Sequence, residues 1–216
     1  MEIRNTSELK KDTKINMLLF GSPGSGKTTI AGTFPKPLYL NIEAGVNTLI
    51  GKDMDYVTIS EWDDMKEVFK MLTDEECKYE SVVIDSVTEL MKIRKSEIQG
   101  NKEMLTMKDW GLLIDQMERM LRSFRDLQMN VLFIFAEQED KDEDVLVKRP
   151  SISGKNLPAT VCGFVDIVGY CKVVQGKEVE YLTQVTPDQR VYAKSRFPGL
   201  SGDIKDLTFD KVKSSI

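Results

Sequence analysis

The chain has no histidine in its 216 residues. That removes imidazole acid–base catalysis, serine–histidine triads and histidine-ligated metals. Cysteine is scarce. Cys77, Cys162 and Cys171 are odd in number and lack CxxC spacing, so neither a disulfide framework nor a zinc site is implied. Reduced thiols in a cytoplasm are the simplest expectation. No apolar run approaches the roughly 20 residues that span a bilayer, and no membrane partner is expected. Met1-Glu2-Ile3-Arg4-Asn5-Thr6 lacks the apolar stretch of a signal peptide. Internal repeats, low-complexity tracts and proline-rich linkers are also missing, so a second domain has no obvious place to begin. Nor is there a surplus of positive charge. Thirty Lys+Arg against 35 Asp+Glu give a formal net charge of −5. This argues against coating nucleic acid by bulk electrostatics, although a local basic loop stays open. Any chemistry must run on carboxylates, lysine, arginine and Mg²⁺.

Against these absences stands one dense motif, Gly21-Ser22-Pro23-Gly24-Ser25-Gly26-Lys27-Thr28-Thr29, which satisfies G-x-x-x-x-G-K-[ST]. The apolar run Ile15–Phe20 before it predicts a buried strand, and Thr28-Thr29-Ile30-Ala31 after it can open a helix. Glycines let backbone N–H groups converge on a phosphate, because they tolerate φ > 0 and carry no obstructing side chain. Lys27 is then placed for the β/γ oxygens and the Thr28 hydroxyl for Mg²⁺. The motif predicts a nucleoside triphosphate site.

Apolar runs alternate with helical patterns along the chain, the signature of a mostly parallel α/β sheet. Strands are expected at Leu38–Ile42, Tyr56–Ile59, Ser81–Asp85 and Asn130–Ala136, with helices at about 61–72 and 108–128. Trp110, Leu113, Met117, Leu121 and Phe124 recur at helical spacing and read as core. Arg119, Arg122 and Arg125 lie beside Glu118 and Asp126 and read as a solvated face. From about Phe164 the pattern changes to strands at 166–174, 178–185 and 190–195 joined by tight turns, an antiparallel extension of the sheet.

Two carboxylates and one amide fall at strand ends, where open α/β sheets bind ligands. Asp85 closes Val82-Val83-Ile84-Asp85 and, given the P-loop, suits a water-mediated link to Mg²⁺ better than the alternative of capping a helix starting near Val87. Glu43 ends the second strand and can polarise an attacking water, or simply cap the next segment. Gln138, just past Val131–Phe135, can sense a γ-phosphate or sit in a solvated loop.

The order of the P-loop, Leu40-Asn41-Ile42-Glu43, Val83-Ile84-Asp85-Ser86 and Phe135-Ala136-Glu137-Gln138 resembles the core of RecA-family ATPases. More closely, the chain resembles the small phage-encoded RecA-like ATPases, single-domain recombinases also known as phage nucleotide-binding proteins. Met107-Lys108-Asp109-Trp110-Gly111, Leu157-Pro158-Ala159, Phe164–Tyr170 and Ala193-Lys194-Ser195-Arg196 match as well. The resemblance covers about residues 13–200, leaving 1–12 as an N-terminal extension and 201–216 as a C-terminal tail. It implies a RecA-like P-loop fold, ATP and Mg²⁺ as cofactors, and a DNA-stimulated ATPase acting on single-stranded DNA in phage recombination or replication. Glu43 would be the catalytic glutamate and Asp85 the Mg²⁺-linked acid, while Gln138 would couple the γ-phosphate to a DNA-facing loop. Lys194 and Arg196 match paired basic residues placed across a subunit interface, as in a ring or filament; by sequence alone they are same-facing residues of a strand. Lys148, Arg149 and Lys155 are the DNA-contact candidates, in a segment that also carries Glu139, Asp140, Asp142, Glu143 and Asp144. Implied partners are the chain itself, single-stranded DNA and a single-stranded-DNA-binding protein, in a host-cell cytoplasm if phage-encoded.

Rival readings differ in one feature each. A small-molecule kinase needs an arginine-bearing lid, and 96–110 holds only Lys102 and Lys108. A GTPase needs Asn-Lys-x-Asp, and Asn101-Lys102-Glu103-Met104 lacks the final acid. An assembly or loading factor that binds ATP with negligible hydrolysis stays open.

Overall fold

Six buried residues, Asn16–Gly21, form the central strand β1 of the computed structural model, which describes residues 14–43, 50–142 and 145–216. Its side chains alternate between two cores. Leu18 and Phe20 enter one, Met17 and Leu19 the other. A strand apolar on both faces needs cover on both, and parallel neighbours with helical crossovers provide it. Here β5 (Asn130–Phe135) and β8 (Ile167–Gln175) flank β1, both parallel to it. Beyond β5 follow β4 (Ser81–Asp85), β2 (Pro37–Asn41) and β3 (Asp55–Thr58), all parallel. On the other side β9 (Val179–Gln184) pairs antiparallel with β8, and β11 (Asp203–Lys205) with β9. The expected class holds: an α/β fold with a mostly parallel central sheet and an antiparallel C-terminal extension.

One face of the sheet carries α2 (Asp64–Leu72), α3 (Val87–Gln99), α4 (Met107–Arg125) and α5 (Leu157–Phe164). Leu90, Leu113, Met117, Leu121 and Phe124 all pack into its core. Each such side chain contributes about 1.5–3 kcal/mol when fully buried. The starts of α3 and α4 are written locally. The Ser86 hydroxyl accepts from the Glu89 N–H, so Ser86 rather than Asp85 caps α3. Thr106 and Asp109 form a reciprocal capping box. Hydrogen bonds from Lys102 and from the Thr106 backbone and hydroxyl hold the Asp109 carboxyl down at about 2. The arginine row is a solvated face only in part: Arg119 is exposed and pairs with Asp115, whereas Arg122 and Arg125, paired with Glu118 and Asp126, are half-buried over the Phe164 ring.

Three segments differ from the sequence expectation. The mixed-charge stretch after β5 is a hairpin, β6 (Glu137–Asp142) and β7 (Val145–Pro150), separate from the main sheet. The strand expected over 190–195 shrinks to β10 (Lys194–Ser195), antiparallel to β8. Its first half is drawn to β7 instead: the Lys148 N–H donates to the Arg190 carbonyl and the Tyr192 N–H to that of Lys148. Residues 201–216, set apart in the sequence as a tail, supply β11 and a last helix, α6 (Phe209–Lys213). Phe209 and Val212 of α6 share the second core with Ile30 and Ala31 of α1 (Lys27–Ala31). The rings of Phe34 and Phe209 lie 4.9 Å apart.

Candidate functional site

The carboxyl ends of β1, β4 and β2 open on one crevice, because these strands run parallel and in near register: Asn41 stands beside Asp85, and Asp85 beside Ile134 of β5. A cavity of about 610 Å³ occupies the crevice, lined among others by Gly24, Lys27, Thr28, Glu43 and Asp85. That volume lies within the roughly 300–1,000 Å³ of small-molecule sites.

Within the P-loop run Gly21 to Thr29, the residues Pro23 to Thr29 line the cavity. Gly21 has to be glycine because a Cβ there would stand 2.2 Å from the Cys171 carbonyl oxygen of β8. Gly26, at φ 91, turns the chain into α1. The first-turn N–H groups of α1 have no partner within the helix, so they remain for an anion. The Lys27 ammonium donates to the carbonyls of Gly21 at 2.7 Å and Ser22 at 2.9 Å, holding it over the loop. Burial lowers the Lys27 pKa, while the charges of Cys171, Asp85, Glu43 and Glu137 oppose that shift.

Asp85 is 8% exposed and accepts from the Thr28 hydroxyl at 3.3 Å. The buried Tyr39 hydroxyl, on the neighbouring strand β2, donates to the same carboxylate oxygen. Burial pushes the Asp85 carboxyl up; the Tyr39 bond pulls it back, and the charge of Glu43 adds to the rise. The Tyr39 phenol is pushed up by burial and by the adjacent carboxylate. Hydroxyl and carboxylate oxygens are the hard ligands Mg²⁺ takes, usually with one or two carboxylates and substrate phosphates completing the shell. Among the described residues no cluster of three or more His, Cys, Asp or Glu forms a protein-only cage. Thr28 and Asp85 therefore fit a metal that arrives with its phosphates. Glu43 is exposed and lines the same cavity; the Ala44-Gly45 that follow it lie outside the described residues. Burial pushes the Cys162 and Cys171 thiols up to about 12 and about 11, which suppresses thiolate chemistry.

The remaining sequence candidates stand elsewhere. Gln138 lies on β6, where its amide donates to Asp140 at 2.9 Å. Its neighbour Glu137 meets the P-loop instead, accepting from the Ser22 hydroxyl at 2.8 Å. Of the DNA-contact candidates, Arg149 pairs with Asp140 across the hairpin. Lys148 pairs with Glu139 at 3.4 Å and donates to the Tyr170 hydroxyl at 2.8 Å. Lys155 is exposed. The acidic strand of the hairpin thus engages the basic one. Lys194 donates to three carbonyls at the end of α5, those of Cys162, Gly163 and Val165, at 3.1, 2.8 and 2.7 Å. Arg196 pairs with Asp166 at 2.9 Å and also reaches the Gly163 carbonyl. Neither lines the P-loop cavity of its own chain.

Sequence reasoning missed Tyr39, Glu137, Lys52, Tyr181 and the segment 206–208. Glu137 carried a usable signal, being the first carboxylate past β5. Lys52 donates to the Thr28 carbonyl at 2.7 Å across 24 residues of sequence, which no local pattern announces.

A family model described as an AAA domain, AAA_24, matches residues 13–197. The SPbeta prophage-derived uncharacterized protein YorG of Bacillus subtilis (strain 168) is 25% identical over 213 residues, 92% of this chain and 64% of that protein. The chain thus spans 64% of the length of that relative. The crystal structure of the flagellar accessory protein FlaH from Methanocaldococcus jannaschii aligns over 90% of both chains, with 9% identity and a TM-score of 0.48. Among the described residues no helix is long and apolar enough to cross a membrane.

Proposed function

The chain belongs to the AAA_24 family of AAA domains, and on that premise we propose that it binds ATP with Mg²⁺, hydrolyses it, and acts on single-stranded DNA in phage recombination or replication. The observation that carries the nucleotide half is the convergence of Lys27, Thr28, Asp85 and Glu43 on one cavity. Bound Mg²⁺ would neutralise charge on the phosphates. The chain's own residues do the rest. The P-loop amides and Lys27 hold the phosphate tail, and Thr28 with Asp85 holds the metal side. Tyr39 fixes the Asp85 carboxylate by its hydroxyl. Glu43 orients a water for attack and takes its proton.

The DNA half rests on the resemblance to phage RecA-like ATPases and on the prophage source named for one relative. Lys155 is the exposed member of the basic trio. Lys148 and Arg149 reach a phosphate backbone only by exchanging Glu139 and Asp140 for it. Steady-state ATP hydrolysis with and without single-stranded DNA tests both halves. Mg²⁺-dependent turnover that rises with DNA is expected. Turnover indifferent to DNA removes the DNA role, and tight ATP binding without turnover replaces the enzyme by an ATP-liganded assembly or loading factor.

Self-association that brings Lys194 and Arg196 to a neighbour's phosphates is part of the proposal, and it requires both to leave α5. A cation on developing phosphoryl charge is worth ~10³–10⁵ in turnover. Mixing Lys27→Ala chains with Lys194→Ala/Arg196→Ala chains should then recover activity that neither shows alone. A mixture that co-assembles yet stays inactive limits the pair to securing α5. In either case Lys194→Ala should destabilise the fold by roughly 1–3 kcal/mol, read from thermal melting, because three carbonyls lose a charged donor.

A further inference from the structure

The P-loop occupies one end of the cavity; the other end is walled by Tyr181 of β9 and by residues 206–208. Tyr181 stands close over the loop, its Cδ1 3.4 Å from where a Cβ on Gly26 would be. The residue is 44% exposed, and among the described residues its hydroxyl has no hydrogen-bond partner. An aromatic face held at a cavity wall, neither buried in a core nor tied by its polar end, is available to a ligand ring.

The wall opposite is anchored rather than loose. The Asp206 N–H donates to the Tyr181 carbonyl at 3.0 Å, joining the two walls through the backbone. The Lys211 ammonium donates to the carbonyls of Lys205 and Asp206 at 2.7 and 2.9 Å, and this holds Asp206 at φ 47. The Phe209 N–H donates to the Thr33 hydroxyl just past α1 at 2.8 Å. The C-terminal segment is thereby pinned to the same helix that the P-loop opens.

We propose that this end of the cavity receives the nucleoside, with the base stacked on Tyr181 and residues 206–208 closing the far side. The inference rests on the nucleotide reading above and adds where the non-phosphate half goes. Base–aromatic stacking contributes enough for loss of the ring to weaken binding at least about 5-fold.

Calorimetric titration with Mg·ATP and with Mg·tripolyphosphate, which lacks the nucleoside, separates the two halves of the site. Tyr181→Ala should weaken ATP at least about 5-fold and leave tripolyphosphate unchanged, while Tyr181→Phe, which keeps the ring, should bind ATP as the parent does. An alanine variant that binds ATP undiminished overturns the inference. So does one that loses both ligands equally, since Tyr181 would then act on the phosphates or the fold. A parent chain that binds tripolyphosphate as tightly as ATP overturns it while leaving the P-loop reading intact. A parent chain that binds neither overturns the nucleotide reading, and this inference with it.

Discussion

Lys27→Ala should yield a folded protein whose ATP hydrolysis falls by roughly 10²–10³-fold or more, the scale for losing one preorganised electrostatic group. The physical reason is the position of the ammonium, which among the described residues bonds only to the Gly21 and Ser22 carbonyls and the nearby Ser25 hydroxyl. None of these is a core contact, and water can replace them. Thermal melting should therefore change little. The ligand-induced shift should change completely. A ligand at about 100 times its Kd stabilises the folded state by about 2.7 kcal/mol, and that gain with Mg·ATP should vanish in the variant. A variant that hydrolyses ATP near the parent rate would remove the P-loop from the reaction.

Glu43→Gln should separate binding from chemistry. The amide preserves shape and exposure but cannot take a proton from water, so kcat should fall by about 10²–10⁴-fold with little change in ATP affinity. Glu43 is exposed at the end of β2 and contributes nothing to either core, so the fold should be indifferent to the change. Single-turnover phosphate release is the deciding measurement. Undiminished release would exclude Glu43 and turn attention to Glu137, which accepts from the Ser22 hydroxyl of the P-loop.

The fold was readable where burial was two-sided or periodicity long. The strands β1, β2, β4 and β5 are apolar between their end residues and fall within a residue or so of their expected limits. The helix α4 was equally plain from its long apolar stripe. The hairpin was not, because Glu137–Asp142 carries no apolar alternation; its strands are held by backbone pairing and cross-strand charge. The helix α5 spans only eight residues and is followed at once by β8. Among site residues, the P-loop announced itself because its geometry is local. Tyr39 and Tyr181 had no such signal. One reads as an ordinary buried strand residue and the other as an ordinary exposed one, and only tertiary pairing brings them to Asp85 and Gly26.

The position of β1 in the sheet has a consequence for how the chain is made. Both neighbours of the strand follow it at long range: the Ile15 N–H awaits Asn130, 115 residues on, and the Asn16 N–H awaits Asp166, 150 residues on. Such long loop closures are slow, and during synthesis they cannot begin until the distant segment has left the ribosome. The P-loop therefore emerges early and matures late. The Tyr181 wall and residues 206–208 come later still. A series of nascent chains of increasing length should gain nucleotide affinity in one late step, not gradually, once the segment that walls the far end of the cavity has joined the P-loop.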